Sequence, residues 1–350
     1  MSDKHSVLFL TDRGLRHQQE VLGSAPPELA VTMMRRPPKE EVLRVLPEFE
    51  FLISERAGVV DADMIAAGRN LRLIQRLGSL TYDIDLESAR DAGVPVAAWP
   101  VQTAIMVAEH MILQMLALAK HLNEVAAIAN EAGDWGQPSR RTDEDTFAYD
   151  WSKRKGIRSL YRQTMGILGF GEIGAELARR LRGFAPARIL YHKRTRLPEH
   201  TEQELGIAYA PREQVVAESD YLCMLLPYYP ETDTLLDARL LSTMKQGSFL
   251  VSCGSGSVID EAALAEAVRA GRLAGAALDT FEWEPIRPDN PLCPLACEPA
   301  LNVLLTPHTA AGSSGDAAGD QAVSRTKARE GDYTNLMRVL RGEPPLHQVA

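Results

Sequence analysis

The chemistry of this 350-residue chain is most legible at Gly169-Phe170-Gly171-Glu172-Ile173-Gly174. The apolar run Met165, Ile167, Leu168 leads into it, and a helical pattern with Ile173, Leu177 and Leu181 on one face follows. Gly169 permits a tight strand-to-helix turn, Gly171 lets a ligand approach the backbone, and Gly174 lets helix and strand pack closely. A helix starting there offers unpaired N–H groups and the positive end of its dipole to a pyrophosphate. Dinucleotide binding is the expected chemistry, with Gly183 expected as the cap that ends the helix.

About 20 residues on, a second strand end selects the dinucleotide, and a carboxylate there binds ribose hydroxyls. This chain has Tyr191-His192-Lys193-Arg194-Thr195-Arg196 instead. Cations and a hydroxyl suit a 2′-phosphate through charge-assisted bonds, so His192, Lys193, Arg194 and Thr195 point to NADP, preferred over NAD.

These groups need strands and helices to hold them. Val7–Leu10, Leu29–Met33, Phe51–Ile53, Leu73–Leu77 and Val94–Ala98 read as strands separated by helical or polar stretches. After Thr164 the alternation resumes at Met165–Leu168, Arg188–Tyr191, Gly206–Tyr209, Tyr221–Leu226, Phe249–Val251, Ala274–Leu278 and Leu301–Leu305. Between the two series lie an apolar helix, Thr103–Leu122, and a polar arm, Gly133–Arg158. Ala317–Leu340 is helical in pattern. The fold class expected is α/β, two domains in series, each a parallel sheet flanked by helices.

A net charge of −9 argues against nucleic acid or an anionic membrane as partner. The four cysteines lack zinc-like spacing and read as reduced, mostly buried thiols, so no metal is expected. The first residues show no signal-peptide pattern, and the apolar stretch Ala104–Leu118 is too short to span a bilayer. A cytoplasmic protein with a small-molecule partner is the expectation.

From here the chain resembles the D-isomer-specific 2-hydroxyacid dehydrogenases, a family that includes phosphoglycerate dehydrogenases and glyoxylate reductases. The likeness runs from Val7 to the final helix. It rests on Gly166–Gly174, Leu226-Pro227 with Glu231-Thr232, Ile259–Leu264, Gly275–Asp279, Thr306-Pro307-His308, Arg76–Asp85 and Val107–His110.

The resemblance implies two Rossmann-like domains with a cleft between them. Residues 1–105 plus 318–350 would form a discontinuous substrate domain. Residues 106–317 would form the dinucleotide domain, including the interdomain helix 104–122 and the arm 133–158. Leu226, Pro227, Thr232, Cys253, Gly254, Asp279 and His308 would line the dinucleotide site. Leu77, Gly78, Ser79 and Leu80 would form the substrate loop. A homodimer is also implied.

Reducing a 2-oxo acid requires a hydride donor, a proton donor and a cation for the carboxylate. His308 falls on the family's catalytic histidine and Glu284 on its partner; an imidazole backed by a carboxylate is a competent acid near neutral pH. The third member departs: Ser252-Cys253-Gly254-Ser255-Gly256 places Ser255 where the family has arginine. Serine offers neither the planar fork nor the fixed charge. Leu80 and Tyr82 also replace a glycine and an aspartate of the substrate loop, and Leu225 replaces a frequent histidine.

The resulting expectation is an NAD(P)-dependent oxidoreductase reducing a 2-oxo acid or related carbonyl. Either Arg76 or an arginine of the 133–158 arm replaces the missing guanidinium, or the substrate lacks the usual carboxylate. The alternative is a non-catalytic dinucleotide-binding sensor or assembly protein.

Overall fold

The computed structural model describes residues 4–55, 57–131, 136, 138–147, 149–312 and 329–350. The chain forms two units, Met1–Gln102 with Gly312–Ala350, and Thr103–Ala311.

The first unit carries β1 (His5–Thr11), β2 (Leu29–Arg35), β3 (Phe51–Glu55), β4 (Leu73–Leu77) and β5 (Val96–Trp99). They form one parallel sheet in the order β2-β1-β3-β4-β5. Alternate residues of a strand face opposite sides, and both faces are apolar here. Leu8, Leu10, Leu52, Ile74 and Val96 join one core. Val7, Phe9, Phe51, Ile53, Leu73 and Leu77 join the other, together with Tyr333 and Leu336 of the returning C-terminal segment. Burial on both faces explains why these strands read as continuous apolar runs.

The second unit carries β6 (Thr164–Leu168), β7 (Arg188–His192), β8 (Ala208–Tyr209), β9 (Tyr221–Met224), β10 (Ser248–Ser252), β11 (Leu273–Leu278) and β12 (Val303–Leu305). All seven run parallel in the order β12-β11-β10-β9-β6-β7-β8. The strand order reverses between β6 and β9, the topological switch point where open α/β sheets bind ligands outside their carboxyl ends. Helices Arg212–Glu218, Ala238–Thr243 and Glu261–Arg269 bury Val215, Leu240, Leu241 and Leu264 against Leu222, Leu250 and Ala276 of this sheet.

Several local expectations are corrected. The apolar helix runs from Gln102 to Lys120, and a second helix, Leu122–Glu131, follows after His121 at φ 49°. At 19 residues the first helix is long and apolar enough to cross a bilayer by length and composition alone. Yet it buries Gln114 completely and Met111 and Met115 with it, as a core helix does. The helix after the glycine loop does not end on Gly183: a 3₁₀ turn, Arg182–Phe184, prolongs it and Ala185 takes the left-handed conformation. Gly206 caps the Glu199–Leu205 helix rather than opening β8. The expected helix 317–340 lies outside the described residues up to 328, and Thr334–Leu340 is helical. Of the cysteines only Cys223 is buried, whereas Cys297 is exposed. Among the described residues no cluster could hold a metal ion.

Candidate active site

The carboxyl ends of β6, β7, β9, β10, β11 and β12 gather most of the sequence-predicted residues on one edge of the seven-stranded sheet. Gly169 leaves β6 at φ 89°, and a Cβ there would stand 2.6 Å from the Leu225 carbonyl carbon and the Leu226 nitrogen. Only glycine tolerates both the dihedral and the approach. Phe170 is buried, its ring 4.8 Å from that of Tyr191. Gly171 is the N-cap of the Glu172–Leu181 helix and supplies no side-chain cap. A Cβ built on Gly171 meets nothing within 4 Å. An uncapped helix start with open space in front of its N–H groups fits a pyrophosphate. Gly174 differs from expectation: its close neighbour is the Phe170 ring, at 3.1 Å, rather than the strand. Glu172 is buried and Ile173 half-buried in the first turn of that helix.

At the end of β7 the basic residues divide. His192 Nδ1 donates to the Ala210 carbonyl at 3.0 Å, which turns the ring toward β8. Arg196 forms two bonds to Glu202, at 2.9 and 2.7 Å, and Tyr191 donates to the same carboxylate at 2.7 Å. Arg194 lies over the Tyr229 ring, 5.3 Å from its centroid, and Arg194 and Thr195 are exposed while Lys193 is half-buried. The facing wall is the segment after β9. There Pro227 is exposed, Leu226 half-buried, and Thr232 closes the loop by receiving the Tyr229 N–H at 2.8 Å.

Behind that wall, β10 ends in Ser252-Cys253-Gly254-Ser255. The Ser255 N–H donates to Leu226 O at 2.9 Å, and Thr280 donates to Gly254 O at 2.7 Å. The Cys253 thiol donates to Gln114 Oε1 at 3.6 Å, and burial pushes its pKa well up, so it is an inert thiol.

The segments after β11 and β12 bring Glu284 and His308 together. His308 Nδ1 lies 2.7 Å from Glu284 Oε2, while Glu284 Oε1 accepts the Phe281 N–H at 3.1 Å. The carboxylate is therefore anchored to backbone on one side and to the imidazole on the other. His308 itself sits at φ 53°, an unusual conformation for a bulky residue. One buried carboxylate bonds the residues on either side of Pro307 and His308. Asp279, 1% exposed, accepts from Thr306 Oγ1 at 2.6 Å, from Thr309 N at 3.0 Å and from Ala310 N at 2.9 Å. Asp279 was expected on the cofactor; both its oxygens are engaged by the turn that carries His308.

In the other unit, Gly78 opens its loop at φ 134° with its N–H on Trp99 O at 2.8 Å. Leu77, Gly78 and Leu80 are buried and the Gly78 N–H is taken by Trp99, so of the expected anion-binding N–H groups that of Gly78 is engaged within the unit. Arg76 is buried and its Nε lies 3.0 Å from both oxygens of Asp83. Arm residues 133–135, 137 and 148 lie outside the described residues. Arg154 pairs with Glu124 at 2.6 Å, and Arg158 donates to Gly247 O at 2.6 Å, at the amino edge of β10. The Arg154 and Arg158 guanidinium groups are thus engaged locally, whereas Arg140 and Arg141 of the same arm are exposed.

The sequence profile of the D-isomer specific 2-hydroxyacid dehydrogenase NAD binding domain matches residues 112–310. The chain is 32% identical over 313 residues to a glyoxylate reductase of Korarchaeum cryptofilum, covering 89% of this chain and 86% of that one. The chain belongs to the D-isomer specific 2-hydroxyacid dehydrogenase family. A hydroxypyruvate reductase of Thermotoga maritima is 31% identical, with 79% of this chain and 82% of the relative covered. A crystal structure of a Pyrococcus horikoshii protein superposes with a TM-score of 0.56 at 26% identity, covering 99% of this chain and 95% of that one.

Within this dehydrogenase family framework, the glycine loop, His308 and Glu284 stand in one unit, whereas the Gly78 loop stands in the other. Sequence reasoning missed three members of the site's hydrogen-bond network, His110, Gln114 and Thr306 as a side chain. His110 Nε2 lies 3.1 Å and Gln114 Nε2 3.4 Å from Thr306 Oγ1. Their spacing of four along an apolar helix was the available signal, since polar groups one turn apart share a face.

Proposed function

We propose that this protein is an NAD(P)-dependent oxidoreductase that reduces a 2-oxo acid or a related carbonyl, with His308 as the general acid. The 2.7 Å pair of His308 and Glu284 carries the reading. A carboxylate on Nδ1 orients the ring and stabilises its charged form, leaving Nε2 to deliver a proton to a carbonyl oxygen. The bound dinucleotide supplies the hydride. The unit 103–311 holds it, with the Gly169–Gly174 loop on the pyrophosphate and Leu226, Pro227, Thr232, Cys253 and Gly254 along its length. The unit 1–102 with 312–350 holds the substrate at the loop of Leu77, Gly78, Ser79 and Leu80. Arg194 and Lys193 favour the 2′-phosphate of NADP over the bare ribose of NAD, and two copies associate as a homodimer.

Ser255 gives the substrate a different anchor from that of an arginine-bearing relative. Loss of a positioned charge beside the reacting carbonyl costs roughly a hundredfold in rate. Arg76 is engaged by Asp83, so either an arginine of the arm, Arg140 or Arg141, supplies the charge or the substrate lacks the usual carboxylate, and the second fits the serine better. A second reading rests on the same serine: a dinucleotide-binding sensor without turnover.

The test is loss of reduced-nicotinamide absorbance with NADPH and NADH, pairing 2-oxo acids with matched neutral ketones and aldehydes, beside Ser255→Arg. Turnover faster with neutral carbonyls supports the leading reading. Turnover confined to Ser255→Arg transfers support to the sensor, and absence of dinucleotide binding removes both.

A further inference from the structure

The helix Gln102–Lys120 places two polar side chains, His110 and Gln114, one turn apart against a single hydroxyl. Thr306 Oγ1 lies 2.6 Å from Asp279 Oδ1, 3.1 Å from His110 Nε2 and 3.4 Å from Gln114 Nε2. A threonine hydroxyl has one proton and two lone pairs. Asp279 is an acceptor only, so the proton goes to it. His110 and Gln114 must then both donate, and His110 carries its proton on Nε2. The result is a directed chain from His110 through Thr306 to Asp279. The Asp279 carboxylate continues it into the N–H groups of Thr309 and Ala310.

Pro307 and His308 are the two residues between the donors that this carboxylate gathers. His308 holds a left-handed conformation, which a bulky residue keeps only when its surroundings over-determine it. Glu284 contacts the ring through Oε2 and takes the Phe281 N–H through Oε1. The backbone is bonded on the other side: the His308 N–H donates to Thr306 O at 3.0 Å, and Asp279 accepts from Thr306 Oγ1 and from the Thr309 and Ala310 N–H groups.

We propose that His110 is a positioning residue for the His308 acid, acting as the Nε2–H donor that orders the Thr306–Asp279 clamp. It touches neither dinucleotide nor substrate in this role. Its Nε2 also lies 3.6 Å from Asp279 Oδ1, so one N–H serves the whole clamp, and a neutral donor of similar reach replaces it. Gln114 is the second donor to the same oxygen, at longer range, and sustains the clamp partly when His110 is lost.

The inference rests on the reading of His308 as the acid, and the experiment separates the two. His110→Phe keeps the ring volume and removes the donor; His110→Gln restores a donor at similar reach. With the carbonyl that the wild type reduces best, His110→Phe lowers kcat about tenfold, as displacement of a reacting group does. KM and dinucleotide Kd stay within about twofold, and His110→Gln recovers kcat to within about threefold of wild type. Wild-type kcat in His110→Phe overturns the inference. So does an equal loss in both variants that follows a fall in Tm, the mark of simple packing. If the wild type turns over no carbonyl, the reading of His308 fails by itself. The clamp is then read from the His308 imidazole resonances in the full-length protein. They must shift in His110→Phe and hold in His110→Gln, and unchanged resonances in His110→Phe overturn it.

Discussion

His308 and Glu284, 24 residues apart in the chain, meet at 2.7 Å, imidazole Nδ1 against carboxylate Oε2. The pair is partly open to solvent, His308 at 59% and Glu284 at 35% side-chain exposure. Its value lies in orientation and tautomer rather than in stability, because exposed ion pairs contribute little to folding. His308→Gln is expected to lower kcat by about a hundredfold or more, the usual worth of a positioned acid. Glu284→Gln, which keeps shape and loses charge, is expected to lower it about tenfold. Steady-state kinetics with unchanged dinucleotide titrations check both, and wild-type rates in His308→Gln would remove the acid from the mechanism.

Two glycines of one loop are expected to fail in different ways. Gly169→Ala meets the Leu225–Leu226 backbone at 2.6 Å from a φ of 89°, so it destabilises the unit by about 2 kcal/mol or more. Gly171→Ala meets nothing within 4 Å, so its Tm stays near wild type while a methyl group enters the open space before the helix start, where a pyrophosphate is proposed to lie. Dinucleotide affinity is expected to fall about tenfold or more in Gly171→Ala. Thermal unfolding and fluorescence titration, run side by side, separate the two outcomes.

Arg194 lies exposed over the Tyr229 ring, whereas Arg196, over the Tyr209 ring, is held by Glu202. Arg194→Ala is expected to weaken NADPH about tenfold and NADH less than about twofold, the difference being one charge-assisted bond to phosphate. Arg196→Ala is expected to leave the NADPH-to-NADH ratio alone. Equal losses for both dinucleotides in Arg194→Ala would place the residue outside the 2′-phosphate contact.

The first unit carries a buried charge cluster at the carboxyl ends of β1 and β3. Glu55 lies 3.1 Å from His17 Nε2 and 3.2 Å from Arg329, and burial pushes the neighbouring Asp332 carboxyl up to about 7. Burial opposes the charge on Asp332 more than Arg329 supports it. A carboxyl whose pKa is raised on folding stabilises most below its unfolded value, and that contribution is lost as pH rises toward 7. Between pH 5 and pH 7 the loss is on the order of 2 kcal/mol. Asp332→Asn is expected to flatten this slope in urea unfolding. For Glu55 the sign is opposite: His17, Arg329 and Arg13 hold its carboxyl far below the usual range, so its contribution is present above about pH 4.5 and lost in acid. An unchanged slope in Asp332→Asn would show that the carboxyl is already ionised through its 2.6 Å contact with Arg329.

Sequence by itself determined whatever depends on neighbours along the chain. The glycine loop, its strand and its helix occupy consecutive residues, so steric and dipole arguments identify them without a fold. The parallel sheets were legible because strands buried on both faces must be apolar throughout. Boundaries were legible less well, as at Gly183, where Ala185 takes the left-handed position because a 3₁₀ turn extends the helix. What tertiary structure decided is how shared polar groups divide. Arg194 and Arg196 are two residues apart and equally cationic, yet Glu202 takes one and leaves the other over Tyr229. Arg76 read as a spare guanidinium until Asp83 was found across it at 3.0 Å. Asp279 and Thr306 bond across 27 residues, and His110 reaches Thr306 across 196. A hydrogen bond acts over about 3 Å. Only the packed sheet and helix bring donors and acceptors that far apart in sequence within its range.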